Sequence, residues 1–217
     1  MSVDDVTPGA EAAPPPHPLA LELAGLLGST PGARLLLVGI GNGRNVAPFA
    51  AAGTHVDAIE DDPERARAAV ERFAGTPRVR VVRTRYAGPY PLAGGYAGAL
   101  STSALLHGTP GGIAAAVAAI RARLQPNGAF YATFGSTNDP RYGRGTQIDA
   151  ATFAATTGDE AGIPHAFFDE AGVRALLDGF TALELVEAEA TETAGSWAHP
   201  TDSTTGIVHW FARARRA

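Results

Sequence analysis

No cysteine occurs in the 217 residues, so disulfides, thiolate metal sites and cysteine nucleophiles are excluded together. Lysine is missing as well: all 17 basic residues are arginine. That excludes a lysine Schiff base and the phosphate-binding lysine of a P-loop. No apolar run approaches the roughly 20 residues that cross a bilayer; the longest, 34–40 and 112–120, are far shorter. Residues 1–18 carry acids and prolines where a secretory leader has a basic start and an apolar stretch, which predicts a cytoplasmic protein. The net charge is −5 and arginines cluster only near residue 217, so the basic footprint of a nucleic-acid binder is missing. The expected partner is a small molecule, with neither nucleic acid nor membrane.

What is present is an alternation of apolar runs and helical periods. Residues 1–17, rich in alanine and proline with little bulk to pack, are expected to form a disordered tail, and 18–217 to form one domain. Leucines at 19, 21, 23, 26 and 27 mark a leading helix that stops at the Ser29-Thr30-Pro31-Gly32 turn. The uniformly apolar Leu35-Leu36-Leu37-Val38 reads as a strand buried on both faces, the pattern of a parallel sheet. Helices over 45–52, 63–73, 111–124 and 169–177 and strands over 55–59, 79–82, 96–101 and 129–134 follow in alternation. Two last strands, 182–188 and 207–214, predict an antiparallel edge. This order implies an α/β, doubly wound, Rossmann-like and mostly parallel seven-stranded sheet. The polar stretch 136–168 is too long for a plain connector and is expected to cover the substrate pocket.

The first strand runs into Gly39-Ile40-Gly41-Asn42-Gly43, a turn where backbone can approach a ligand closely at a helix start. A dinucleotide turn wants a third glycine where Arg44 stands, whose side chain would crowd a pyrophosphate. Glycines in this register, followed about 20 residues later by an acid at a strand end, suit a ribose diol, and Glu60 occupies that place.

Through Arg34-Leu35-Leu36-Leu37-Val38-Gly39-Ile40-Gly41-Asn42-Gly43-Arg44-Asn45 and Val56-Asp57-Ala58-Ile59-Glu60, the chain resembles class I S-adenosylmethionine (SAM)-dependent methyltransferases. Leu100-Ser101-Thr102-Ser103-Ala104-Leu105-Leu106-His107 and Leu124-Gln125-Pro126-Asn127-Gly128-Ala129-Phe130 continue the likeness, which spans about residues 20–215. Segments 134–143 and 163–168 are similar to the small bacterial methyltransferases of the tellurite-resistance-related, methyltransferase type 11 branch. The resemblance implies SAM as cofactor, held by Gly39, Ile40, Gly41, Asn42, Gly43, Asn45 and Ser101, with Glu60 on the ribose and Asp61 near adenine. It implies transfer of a methyl group to a small-molecule acceptor. The chain departs from the family pattern at Leu37, where an acid usually meets the ammonium of SAM, at Arg85 and Tyr86, where an acid usually meets adenine, and at Ala97. A repurposed, non-methylating small-molecule binder on the same fold therefore stands as the alternative.

His107, after the fourth strand, and His165, in Pro164-His165-Ala166-Phe167-Phe168, are the candidate general bases, since imidazole titrates near neutrality. Packing or capping is the competing role for each. Arg141 and Tyr142 in the cover are the candidate substrate-binding residues, and plain solvation is the alternative for the arginine. His199 and His209 read as structural, and Trp197 and Trp210 as core-filling. With no helical histidine pair and no acidic calcium loop, no metal site is expected.

Overall fold

The computed structural model describes residues 14–194 and 206–217. Trp197, His199 and residues 1–13 of the expected tail lie outside the described residues. The tail boundary is earlier than composition suggests. His17 is fully buried, accepts the Leu19 N–H on its imidazole as the cap of α1 (Pro18–Gly28), and donates its own N–H to Asn45 Oδ1 at 2.8 Å.

From there the chain runs through β1 (Arg34–Val38), α2 (Val46–Ala51), β2 (His55–Glu60), α3 (Pro63–Phe73), β3 (Val79–Arg83), β4 (Tyr96–Ser101) and α4 (Pro110–Arg123) into the long β5 (Leu124–Ser136). The strands β3, β2, β1, β4 and β5 lie side by side in parallel. In β1 the period of two divides four consecutive apolar residues between the faces of the sheet. Leu36 and Val38 join one core cluster, Leu35 and Leu37 the other. Helix starts are fixed locally: Asp62 accepts the N–H groups of Glu64 and Arg65 ahead of α3, and Thr109 that of Gly112 ahead of α4, each with proline in the first turn.

After β5 come β6 (Thr146–Asp149), β7 (Thr152–Ala154), β8 (Pro164–Phe168), α5 (Glu170–Leu176), β9 (Phe180–Glu189) and β10 (Val208–Arg216). β10 inserts antiparallel between β5 and β9, so the main sheet has the expected seven strands, in the order β3-β2-β1-β4-β5-β10-β9. The polar stretch 136–168 has regular structure that its sequence does not signal. It carries the antiparallel β6-β7-β8 ribbon, which joins the end of β5 through Gly135–Phe167 and Ser136–Phe168 pairing. Strands of three to five residues are too short to display a period, and β6 exposes most of its residues. The alternation that betrays a half-buried strand is therefore missing.

One polar knot ties the parallel half together. Asp57, buried in the middle of β2, meets Arg34 on β1 at 2.8 Å, Arg80 on β3 at 2.7 Å and the Tyr96 hydroxyl on β4 at 2.7 Å. Burial opposes its ionisation, but the hydroxyl and the two guanidinium groups outweigh it and hold the carboxyl below its ordinary range. No helix among the described residues is long and apolar enough to cross a membrane.

Candidate active site

The carboxyl ends of β1, β2 and β4 border a cleft, at the edge of a parallel sheet where α/β folds take their ligands. Its floor is the glycine turn. Gly39 has φ +80°, and a Cβ there would stand 2.3 Å from the Ala104 Cβ; Gly43, also at φ +80°, would meet the Phe73 ring at 2.7 Å. Side chains are excluded at both positions by the fold itself, so these glycines are required whatever the cleft binds. Gly39, Ile40, Gly41 and Asn42 face the cleft, whereas Gly43 does not. Arg44 also borders it, with Nη1 donating to the Ala194 carbonyl at 3.2 Å.

Glu60, at the end of β2, is buried to 1% exposure and lies on the wall. Its carboxylate accepts from the Gly41 N–H (3.1 Å), the Asp62 N–H (3.3 Å), Arg65 Nε (3.4 Å) and the Tyr86 hydroxyl (2.6 Å). Burial and the Glu60 charge push the Tyr86 phenol far above its usual range, so this hydroxyl stays a donor. Asp61, beside it, is exposed and does not border the cleft.

At the end of β4 the sequence reading needs correction. The Ser101 hydroxyl is fully buried and turned to the Val38 carbonyl at 3.2 Å. Its two successors reach the cleft instead, because the strand ends at Ser101 and the backbone then turns, with Ser103 at φ +65°. Thr102 accepts from Asn45 Nδ2 at 2.9 Å, which sets Asn45 on the wall as expected. The Ser103 hydroxyl is buried with no hydrogen-bond partner, and a polar atom left so in a cleft wall implies a missing partner.

His107 completes this side, its Nε2 lying 3.3 Å from Glu160 Oε1. His165 does not border the cleft; its Nε2 lies 3.2 Å from the other Glu160 oxygen. Glu160 borders both the cleft and a second cavity lined by Arg141, Arg144, Phe153, His165 and Phe167. The two candidate bases thus flank one carboxylate between two cavities. Burial works against ionisation of Glu160, yet His107 and His165 outweigh it and hold its carboxyl far below the ordinary range. Arg141 is not a freely solvated arginine. Asp139 grips it through Nε and Nη2 at 2.8 and 2.9 Å, and the buried His209 lies 3.4 Å from Nη2. Tyr142 borders neither cavity; its ring packs edge-on against Phe153 and Phe167 at 5.4 and 5.7 Å. Packed there, it braces Phe153 of β7 and Phe167 of β8.

Sequence reasoning missed Arg65, Tyr86, Thr102, Ser103 and Glu160. Tyr86 stood in view at a position read only for the acid it lacks. Glu160, in Gly158-Asp159-Glu160, carries no local signal, since its partner His107 is 53 residues away.

No family model and no curated protein matches the chain. Solved structures do. A SAM-dependent methyltransferase from Methanosarcina mazei superposes with a TM-score of 0.67 at 16% identity, covering 85% of this chain and 92% of its own. A 1,6-didemethyltoxoflavin N1-methyltransferase from Burkholderia thailandensis, solved with 1,6-didemethyltoxoflavin and S-adenosylhomocysteine, gives 0.61 at 21% identity, covering 93% of this chain and 79% of its own. An amino pentose methyltransferase from Micromonospora echinaspora, solved with SAM, gives 0.59 at 21% identity over 93% of this chain and 91% of its own. Identities this low carry the likeness at the level of architecture: the chain has the class I methyltransferase fold.

Proposed function

We propose that the cleft binds SAM and that the protein transfers the methyl group to a small-molecule acceptor. The observation that carries this reading is the orphaned Ser103 hydroxyl, which shares a strand-end wall with the Glu60 carboxylate. The residues present fit the cofactor: Glu60 would take the ribose diol, and Asn45 and the turn 39–42 would flank the methionine part, while Asp61, outside the cleft, would reach adenine only at its rim. Bound there, SAM supplies a methyl group already activated by its sulfonium. The protein's task is then to hold an acceptor atom in line and keep competing water out. His107 and His165, oriented by Glu160, are placed to take a proton from the acceptor.

The segment 136–168 is proposed as the cover that selects the acceptor, through Arg141 and the aromatic wall of the second cavity. A role in the tellurite-resistance-related branch, and a cytoplasmic setting, belong to the same proposal. A second reading, a repurposed non-methylating binder, is favoured by two observations. Leu37, buried in the core, stands where the family has an acid, and both Glu60 oxygens already have donors.

Arg141 and His165 separate cofactor from acceptor. With SAM labelled on its methyl group and a panel of hydroxy, amino and thiol acceptors, His165→Ala is expected to slow transfer about 10²-fold or more, the scale of a lost general base. Arg141→Ala should raise the KM for acceptor. Both variants should bind SAM as the wild type does. Equal loss of cofactor affinity in both would assign these residues to the cleft rather than to the acceptor side.

A further inference from the structure

Glu160 is the point where two histidines from different elements converge. His107 follows β4 and His165 lies on β8, and an antiparallel bridge pins their backbones together. The Gly108 N–H donates to the Pro164 carbonyl at 2.7 Å and the Ala166 N–H to the Leu106 carbonyl at 2.9 Å. The imidazole rings stand edge to face with centroids 4.8 Å apart. One ring nitrogen of each histidine and a carboxylate oxygen of Glu160 fall within 4.8 Å of one another.

Hydrogen bonding alone leaves His165 unexplained. Its Nδ1 lies 2.9 Å from the Ile163 carbonyl, and because a carbonyl only accepts, the proton sits on Nδ1. Nε2 is buried and makes no hydrogen bond among the described residues, although Glu160 Oε2 is 3.2 Å away. In a neutral imidazole that nitrogen is a lone pair set against a carboxylate, two acceptors with nothing between them. Either a second proton, giving an imidazolium–carboxylate pair, or a metal cation between them removes the conflict. The outer bond from Nδ1 to a backbone carbonyl is the one that metal-ligating histidines make, fixing ring and tautomer.

Bonds of about 2.0–2.1 Å to imidazole nitrogen and carboxylate oxygen bring neighbouring ligand atoms to about 2.9–3.4 Å from one another in octahedral or tetrahedral geometry. Glu160 Oε1 lies 3.3 Å from His107 Nε2 and Oε2 3.2 Å from His165 Nε2; the three residues' ligand atoms lie within 4.8 Å of one another, so the side chains would draw in on an ion. Arg141 does not forbid it. Its charge is matched by Asp139 in a two-point contact, and its Nη1 is 3.6 Å from Glu160.

We propose that His107, Glu160 and His165 bind one first-row divalent transition-metal ion of the zinc, iron, cobalt or nickel class. Two imidazoles and one carboxylate favour these over magnesium and calcium, which prefer oxygen ligands throughout. His107 lies 53 residues before Glu160, so the set shows no compact ligand spacing in the sequence. His107 and Glu160 border the cleft, so an ion held by them would lie beside the place proposed for the acceptor. A role toward the acceptor rests on the methyl-transfer reading, with the ion in place of the two histidines as the group that would activate the acceptor; metal binding does not rest on it.

Full-length protein stripped with chelator and titrated with cobalt(II), followed by visible absorption, and with zinc(II), followed by calorimetry, tests the site. Saturable binding of one ion per chain is expected, weakened at least ~10-fold in His165→Ala and in Glu160→Gln. His55→Ala, exposed at the start of β2, should bind as the wild type does. Glu160→Gln keeps the side chain's shape, so it decides the matter if His165→Ala melts early. No saturable binding by the wild type, or Glu160→Gln binding as tightly as the wild type, overturns the proposal. The same preparation titrated with SAM distinguishes the two readings: metal without SAM binding sinks methyl transfer and leaves the metal site standing, and SAM without metal binding does the reverse.

Discussion

Replacing Glu60 by alanine is expected to weaken SAM binding by about 1.5–3 kcal/mol, the range for hydrogen bonds to a charged group. That corresponds to a rise in Kd of roughly ten- to a hundred-fold. The expectation follows from placement: among the described residues on the cleft wall, Glu60 is the acid at the end of β2, buried and oriented by the Gly41 and Asp62 N–H groups. Those two backbone donors hold the carboxylate whether or not a ligand is present. The Tyr86 hydroxyl and Arg65 are the side-chain partners that a ribose diol would have to displace or share. Removing the carboxylate also strands the half-buried Tyr86 donor, so a stability loss of about 1–3 kcal/mol should accompany the binding defect. Calorimetry below the melting range of the variant separates the two effects. Unchanged affinity would remove Glu60 from the cofactor site.

The largest effect on stability is expected at Trp210. This residue of β10 is 8% exposed within the main core cluster, and its indole N–H donates to the Phe168 carbonyl at 2.9 Å. It therefore fastens the end of β8 to the main sheet, next to the pairing of Phe168 with Ser136. Trp210→Ala should cost about 3–5 kcal/mol, the scale of a large aromatic lost from a core. Trp210→Phe keeps most of the apolar volume and gives up the hydrogen bond, so it should cost far less, about 1 kcal/mol from the bond itself. Thermal or urea unfolding measures both. An alanine variant that unfolds with the wild type would show that β8 is held by its backbone pairing alone.

How much of this was legible beforehand depends on how local each signal is. The parallel half of the sheet was readable because Leu35-Leu36-Leu37-Val38 is apolar on both faces, and α3 because Asp62-Pro63 states its own start. Glu60 was readable from its register against the glycines. Its partner Tyr86 was not, because that contact crosses 26 residues and depends on how the segment after β3 packs. The β6-β7-β8 ribbon escaped because its strands are too short to show a period. At Ser101 the strand's last side chain points into the sheet, an orientation the sequence does not signal, and the residues after it reach the cleft. Arg141 reads from the sequence as a candidate substrate binder or a solvated side chain, and the structure pairs it with Asp139 two residues before it while leaving it on the wall of the second cavity. Glu160 and its histidines are a product of tertiary assembly, with no pattern in the chain to announce them.

Isothermal titration of the full-length protein with SAM, and separately with S-adenosylhomocysteine, tests the central claim most directly. Saturable binding of one molecule of each per chain, weakened together by Glu60→Ala, is the predicted result. Absence of binding by either compound to folded protein would contradict it and leave the cleft as a small-molecule site of another kind on the methyltransferase fold.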